Sequence, residues 1–92
     1  MTKVRFLSVF PDLTGGRRES EVEGRTLREI IASLDEAFPG IKARMIGPGG
    51  TLYPGFMVLA TRGGKTEPCR PELDMEIGDV DEVIIAPVAA GG

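Results

Sequence analysis

The sequence contains no histidine and no tryptophan, and its single cysteine is Cys69. Without histidine, neither a Ser-His-Asp triad nor a Cys-His pair can be assembled within the chain. The usual general base at neutral pH is also missing. One cysteine allows no disulfide framework, and with no histidine beside it the common zinc-ligand sets are excluded. These absences argue against an enzyme with its own catalytic machinery.

Positive charge is also in deficit, with 11 basic residues against 14 acidic ones and a net charge of −3. A surface of this sign repels phosphate backbones, so we expect no nucleic-acid partner. The longest apolar stretch, Val83 to Ala90, is too short to span a bilayer. The N-terminus turns polar too early for a signal peptide. We therefore expect no membrane association and a cytoplasmic location.

The 92 residues suffice for one domain, and several segments have the alternating or apolar character of strands. Three strong candidates are Lys3 to Phe10, Phe56 to Thr61 and Glu82 to Val88. Weaker, polar strands are expected at Arg18 to Val22 and near Lys65 to Glu67. The first two strands should form a hairpin, because a glycine-containing loop joins them.

The clearest local pattern begins at Thr26, which is followed three residues later by Glu29 in a capping box. Apolar residues then recur at helical spacing, which predicts a helix from about Leu27 to Ala37 that ends before Pro39-Gly40. Ile41 to Ile46 should add one further turn. The apolar stripe of the main helix comprises Leu27, Ile30, Ile31, Leu34 and Phe38.

This order of elements predicts an α+β fold, with a mixed sheet of four to five strands and one main helix packed on one face. The first and last strands are the most apolar and should lie together in the middle, which is a β-grasp arrangement. The other face of the sheet would stay open. Alternation from Val4 and Phe6 places Leu7 and Val9 on this open face, which makes them candidate partner contacts. Packing of the two side chains beneath a loop is an equally common arrangement.

The chain ends in Ala89-Ala90-Gly91-Gly92, directly after the last expected strand. Side-chain size falls towards the end, so this tail could thread a narrow channel and adopt backbone angles closed to other residues. It would present the carboxylate of Gly92 to the active site of another protein. An ATP-using partner would have to adenylate that carboxylate before a sulfur nucleophile could convert it to a thiocarboxylate. We expect a single domain of residues 1–92 in which 88–92 form a flexible C-terminal tail.

The segment from Asp81 to Gly92, DEVIIAPVAAGG, resembles the C-terminus of the MoaD/ThiS-type ubiquitin-like sulfur carriers. The resemblance extends to the N-terminal strand, the TLREIIASL helix, the FPGI segment that follows this helix, and the late strands. It implies a ubiquitin-like β-grasp fold and a thiocarboxylate on Gly92, with Gly91 keeping the tail slender. By the same resemblance, Leu7 and Ala86 occupy positions that in the family contribute to an apolar interface with the activating enzyme. Ala86 departs from the family, which usually has a larger side chain there.

The resemblance further implies that the chain is a protein cosubstrate, not an enzyme, with no bound cofactor and with ATP used by its partner. That partner would be a ubiquitin-activating-like adenylyltransferase/sulfurtransferase. The sulfur acceptor would be a cysteine synthase-like enzyme or a molybdopterin synthase large subunit, and a metalloprotease is a further candidate partner. The PVAAGG ending resembles the CysO-like carriers of cysteine biosynthesis, so cysteine or a related sulfur metabolite is the favoured product.

Three other functions stay open: the small subunit of molybdopterin synthase, a ubiquitin-like modifier that forms isopeptide bonds through Gly92, and a β-grasp interaction module whose tail has no role. Among sulfur pathways, thiazole synthesis ranks third after cysteine and molybdopterin. Cys69 could relay a persulfide, although a cysteine between Pro68 and Pro71 is more often incidental. The acidic residues between positions 72 and 82 could attract a cation, but a solvated surface is the commoner role of such a stretch. We predict no metal site.

Overall fold

A mixed sheet of five strands runs through the computed structural model, which describes residues 1–69, 73–74, 76–77, 80 and 82–88. Its strand order is β2-β1-β5-β3-β4, with β1 parallel to β5 and the other pairs antiparallel. The predicted α+β, β-grasp architecture and the central pairing of the first and last strands are confirmed. The strands are β1 (Thr2–Phe6), β2 (Glu19–Val22), β3 (Phe56–Arg62), β4 (Lys65–Pro68) and β5 (Glu82–Pro87).

The central position of β5 follows from its composition. Val83 and Ile85 are buried and lie opposite Val4 and Phe6 of β1, while Val58 of β3 flanks Ile85 on the other side. A near-continuous apolar run is favoured only where neighbouring strands shield it on both edges. The polar strands β2 and β4 therefore occupy the two edges of the sheet.

Helix α2 (Leu27–Ala37) has the bounds that its local signals predict. Thr26 Oγ1 accepts a hydrogen bond from Glu29 N at 3.2 Å. Glu29 Oε1 accepts from Arg25 N at 2.9 Å, one residue earlier than in the standard capping box. A β-carbon on Gly24 would lie 2.8 Å from Ile30 N, so the chain can enter this helix only through glycine.

The core lies between one face of the sheet and α2, which is followed by the short α3 (Ile41–Met45). The apolar stripe of α2 is buried as predicted, and the predicted turn at Ile41 is helical. Within the described ranges, no helix is both long enough and apolar enough to cross a bilayer. The buried cluster contains Val4, Phe6, Val9, Val22, Leu27, Ile30, Ile31, Leu34, Phe38, Ile41, Met45, Val58, Leu73, Ile77, Val83 and Ile85.

The segment after β1 corrects the sequence prediction. The strand ends at Phe6 instead of Phe10, and α1 (Pro11–Thr14), which was not predicted, follows it. Ser8 and Phe10 adopt left-handed backbone angles, with φ of 58° and 48°. Alternation between faces holds only while the backbone stays extended, so these two residues redirect the chain. Val9 consequently lies in the core at 8% exposure, and its predicted place on the open face is wrong.

Candidate functional site

The root of the tail lies at one end of the sheet, where the last residues of β1 and β5 meet the first residues of β3. Phe56 pairs with Pro87, and Leu7 N donates a hydrogen bond to Ile85 O at 2.8 Å. Val88 N donates to Gly55 O at 3.1 Å, so Val88, which the sequence placed in the tail, is still bonded to the body. We call this end of the sheet the exit edge, which is distinct from the edge strands β2 and β4. The residues that carry the expected chemistry, Ala89, Ala90, Gly91 and Gly92, lie outside the described residues.

Apolar side chains gather on the open face beside the exit edge. Leu7 follows Phe6, the register partner of Ile85, and so lies beside Ala86; Met57 lies opposite Ala86. Leu7 is 43% exposed and Met57 is 41% exposed. Single exposed apolar side chains are common, so what matters here is that both lie beside the same strand, β5. We define the exit patch as Leu7, Met57, Leu59, Ile84 and Ala86.

The floor of the exit patch is formed by β5. Ile84 and Ala86 are only 8% and 9% exposed, yet neither belongs to the buried core cluster. Alternation with Val83 and Ile85 turns them to the open face, where neighbouring strands shield them. The patch therefore has a flat, well-packed centre with the exposed side chains of Leu7 and Met57 around it. Such a surface favours contact with another protein.

Of the three candidate interface residues predicted from the sequence, Leu7 and Ala86 lie next to the paired residues Phe6 and Ile85, outside the core cluster, and Val9 lies in the core. Met57, Leu59 and Ile84 were missed. Their places on the open face follow from the register of β3 against β5, in which Leu59 lies opposite Ile84. Apolar composition alone could have suggested them, but their face could not be assigned without that register.

The loop between α3 and β3 is an ordered structure that supports the tail root. Gly47 N donates to Thr51 O at 2.8 Å, and Tyr53 N donates to Met45 O at 2.8 Å. The loop ends at Gly55, whose φ of 110° lies in a region that L side chains rarely adopt. Because Gly55 O accepts the hydrogen bond from Val88, the loop fixes the point from which the tail continues.

Cys69 packs against the core, with its N donating to Val58 O at 2.8 Å, and lines a hollow of about 320 Å³ together with Arg62, Lys65 and Ile77. Burial raises the pKa of the Cys69 thiol, and the nearby positive charge of Arg62 opposes this only in part. A raised pKa lowers the fraction of reactive thiolate at neutral pH, which disfavours a persulfide relay.

Two of the acidic residues between positions 72 and 82 form ion pairs with arginines. Asp74 Oδ1 accepts a hydrogen bond from Arg28 Nε at 2.8 Å, which lowers the pKa of the Asp74 carboxyl. Glu82 pairs with Arg5 at 2.9 Å on the open face. Glu72, Asp79 and Asp81 lie outside the described residues. Among the residues that are described, no three Asp, Glu, Cys or His side chains gather as metal ligands would.

Comparison with known proteins places this architecture in a family. No family model and no curated protein sequence matches the chain, but solved structures do. A chain in the crystal structure of the Amycolatopsis orientalis BexX/CysO complex is 30% identical, with 100% of both chains covered and a TM-score of 0.82. The chain belongs to the MoaD/ThiS-type ubiquitin-like sulfur carriers.

Two further structures agree with this assignment. Mycobacterium tuberculosis CysO is 25% identical to this carrier, with 97% of this chain and 100% of that chain covered and a TM-score of 0.76. SAMP1 from Haloferax volcanii is also 25% identical, with 99% and 98% covered and a TM-score of 0.64. The higher TM-scores belong to the two CysO structures, which supports the predicted closeness to the CysO-like group.

Proposed function

We propose that this carrier accepts sulfur on the carboxylate of Gly92 and donates it in the biosynthesis of cysteine or a related sulfur metabolite. The observation that carries the proposal is the 30% identity over the full length of a chain in the BexX/CysO complex. The Gly-Gly ending of the sequence supports it, because this ending gives the terminal carboxylate the least steric bulk. In this role the chain is a cosubstrate, not an enzyme, and binds no cofactor of its own.

The proposed chemistry takes place in partner active sites. In the first step, an oxygen of the Gly92 carboxylate attacks the α-phosphorus of ATP held by a ubiquitin-activating-like enzyme, and pyrophosphate leaves. In the second step, a hydrosulfide equivalent from a sulfur donor attacks the carbonyl carbon of the acyl-adenylate, and AMP leaves with the C–O bond electrons. The product is the thiocarboxylate of Gly92. The carrier supplies the carbonyl carbon and brings it to both enzymes.

The exit patch is the proposed docking surface for the activating enzyme. It lies on the same edge as the tail root, so a partner that covers Leu7 and Met57 also receives the tail. The four residues 89–92 can span at most about 14 Å when extended. The adenylation site of the partner must therefore lie within that distance of the place where Val88 docks.

The final acceptor in this proposal is a cysteine synthase-like enzyme, and a metalloprotease that hydrolyses the bond between Gly92 and the product would be a further partner. The relative with 30% identity was crystallised in a complex with BexX. This supports a function that depends on docking with other proteins.

Sulfur transfer from a carrier loaded with radioactive sulfur tests the proposed pathway. The loaded carrier is offered separately to a cysteine synthase-like enzyme with an activated serine and to a molybdopterin synthase large subunit with its pterin substrate. The sulfur of the thiocarboxylate displaces the leaving group of the activated serine, so the first product is cysteine still joined to the Gly92 carbonyl, and hydrolysis of that acyl bond then releases it. Label in cysteine, whether joined to the carrier or released by hydrolysis, supports the proposal. Label in the pterin, or stable co-purification with the large subunit, supports the molybdopterin role instead. Adducts of the whole chain on lysine side chains would identify a protein modifier.

A further inference from the structure

A second surface at the exit edge is a hollow of about 360 Å³ beside the exit patch, between the end of β1 and the start of β2. Leu7 lines this hollow and also belongs to the exit patch, so the two surfaces are continuous. Ser8, Arg17 and Arg18 line it as well. Phe6 N donates to Arg18 O at 2.7 Å, and Arg17 N donates to Thr14 O at 3.2 Å. Both arginine side chains therefore project from fixed backbone.

The hollow exists because the chain bends sharply away from β1. Ser8 and Phe10 adopt left-handed conformations that are strained for residues with side chains, and such strain persists only where surrounding contacts enforce it. Here the Phe10 ring packs edge-on against Phe56 with centroids 5.8 Å apart, and the Arg44 guanidinium lies 5.6 Å from the Phe10 centroid. The bend turns Val9 into the core and leaves Leu7 and the two arginines around an open space.

Charge distinguishes this hollow from other basic positions on the surface. Lys3 pairs with Glu19, Arg5 with Glu82 and Arg44 with Asp12, at 3.4, 2.9 and 3.0 Å. Arg17 and Arg18 are exposed, and neither forms an ion pair with any carboxylate in the described part of the chain. The protein as a whole has a net charge of −3, so this pair is a local excess of positive charge against the overall balance.

The opposite end of the sheet carries charges of both signs. A hollow beside Met1, at the start of β1, is lined by Arg25 as well as by Glu23 and Glu76, and Lys65 lies at the same end of the sheet. The positive charges of Arg17 and Arg18 can act locally, because charges around a docking site orient a protein during its approach to an oppositely charged partner and raise the association rate.

We propose that the hollow rimmed by Arg17 and Arg18 receives an acidic segment of the enzyme that activates the tail. This inference rests on the proposed function. The planar guanidinium groups can each hold a carboxylate through two hydrogen bonds. Contact at Leu7 would join these ion pairs to the apolar exit patch, which gives an apolar centre with a charged rim. The same charges would bring the tail end of the carrier to the enzyme first.

Charge reversal at the hollow tests the inference against a matched control. The variant R17E/R18E removes two positive charges and adds two negative ones. The variant R25E/K65E makes the same change in net charge at exposed residues of the opposite end. Pyrophosphate release with ATP and the cognate activating enzyme is measured for both variants from low to physiological salt. Thermal melting first establishes that both variants are folded.

At low salt we expect R17E/R18E to lower kcat/KM by about 10- to 100-fold, mainly through KM, and the control to lower it less than about threefold. The deficit should shrink as added salt screens exposed charges. Equal effects of the two variants, or a deficit that does not change with salt, would overturn the inference. Transfer from the thiocarboxylated variants to the sulfur-accepting enzyme is measured in parallel, and a deficit confined to that transfer would overturn the assignment to the activating partner. A wild-type carrier that the cognate enzyme does not adenylate would instead disprove the proposed function.

Discussion

At the scale of single residues, Leu7 and Val9 show how the backbone decides which side chains can meet a partner. Both are apolar and they lie two residues apart, so a continuous strand would place them on the same face. The left-handed Ser8 between them breaks that relation, leaving Leu7 43% exposed and Val9 8% exposed. The exit patch therefore includes Leu7, while Val9 stabilises the core.

A pair of aspartate substitutions separates these two roles. We expect Leu7→Asp to leave the free energy of unfolding within about 0.5 kcal/mol of wild type, because an exposed charge remains solvated. Val9→Asp should lose on the order of 3 kcal/mol or more, because it buries a carboxylate without a partner. Urea unfolding measures both values. A severe stability loss in Leu7→Asp, or none in Val9→Asp, would contradict the assignment of faces.

The residues of the candidate site could be predicted from the sequence only in part. Gly92 and Gly91 stand out because their role follows from the end of the chain and requires no tertiary contact. Met57 and Ile84 could not be assigned, because their face depends on how β3 and β5 align over a separation of more than 20 residues. Arg17 and Arg18 carry no sequence signal beyond their charge, since the hollow beside them depends on a backbone bend.

At the scale of elements, local signals determined which boundaries could be predicted. Both ends of α2 could be predicted, because Thr26 caps its start and Pro39 follows its end. The turn of α1 could not, because Pro11 after an apolar strand is equally typical of a loop. Its geometry depends on the packing of Phe10 against Phe56, which lies far along the chain.

The cap of α2 can be tested through the Thr26 hydroxyl. Thr26→Ala removes the acceptor for Glu29 N and should lower the free energy of unfolding by about 1 kcal/mol. Thr26→Ser keeps the hydroxyl and should stay close to wild type. Denaturant midpoints compare the three proteins. Equal losses for the two variants would mean that the methyl group, not the cap hydrogen bond, stabilises this end.

The loop that supports the tail root can be tested at Gly55. An alanine there has room for its β-carbon but must adopt a backbone φ of 110°, which L residues rarely adopt. Relief of this backbone strain would shift the Gly55 carbonyl group, which accepts the hydrogen bond from Val88 N. We expect Gly55→Ala to cost about 1 kcal/mol of stability and to slow adenylation of the tail. Gly49→Ala is the matched control, because that position is open and has no positive φ. If both variants are adenylated at the wild-type rate, the loop does not position the tail.

At the scale of the whole molecule, exposed ion pairs connect segments that are distant in sequence. Arg44 pairs with Asp12, which joins α3 to α1, and Arg28 of α2 pairs with Asp74. Hydrogen bonds from these arginines lower the pKa of both carboxyl groups in the folded state. Each pair adds a surface contact between segments that also pack on the common core.

These pairs predict a dependence of stability on acid. Because the pKa of Asp12 and of Asp74 is lowered by folding, their stabilising effect is fully present above the unfolded value of about 3.9. It is lost as the pH falls through the lower folded values. Thermal unfolding from pH 6 to pH 2 should therefore show a smaller decline in D12N/D74N than in wild type. An identical decline in both proteins would mean that these exposed pairs contribute nothing measurable.

The whole account depends on Gly92 as the site where sulfur is loaded. Intact-mass spectrometry tests this most directly, after incubation of the carrier with ATP, its cognate activating enzyme and a sulfur donor. The account predicts a mass increase equal to the replacement of one oxygen by sulfur, located in the C-terminal peptide. A variant that lacks Gly92 should show no increase and should melt at the wild-type temperature, because a glycine has no side chain to bury. An unchanged mass in the wild-type protein, while the enzyme releases pyrophosphate in response to it, would contradict the central claim.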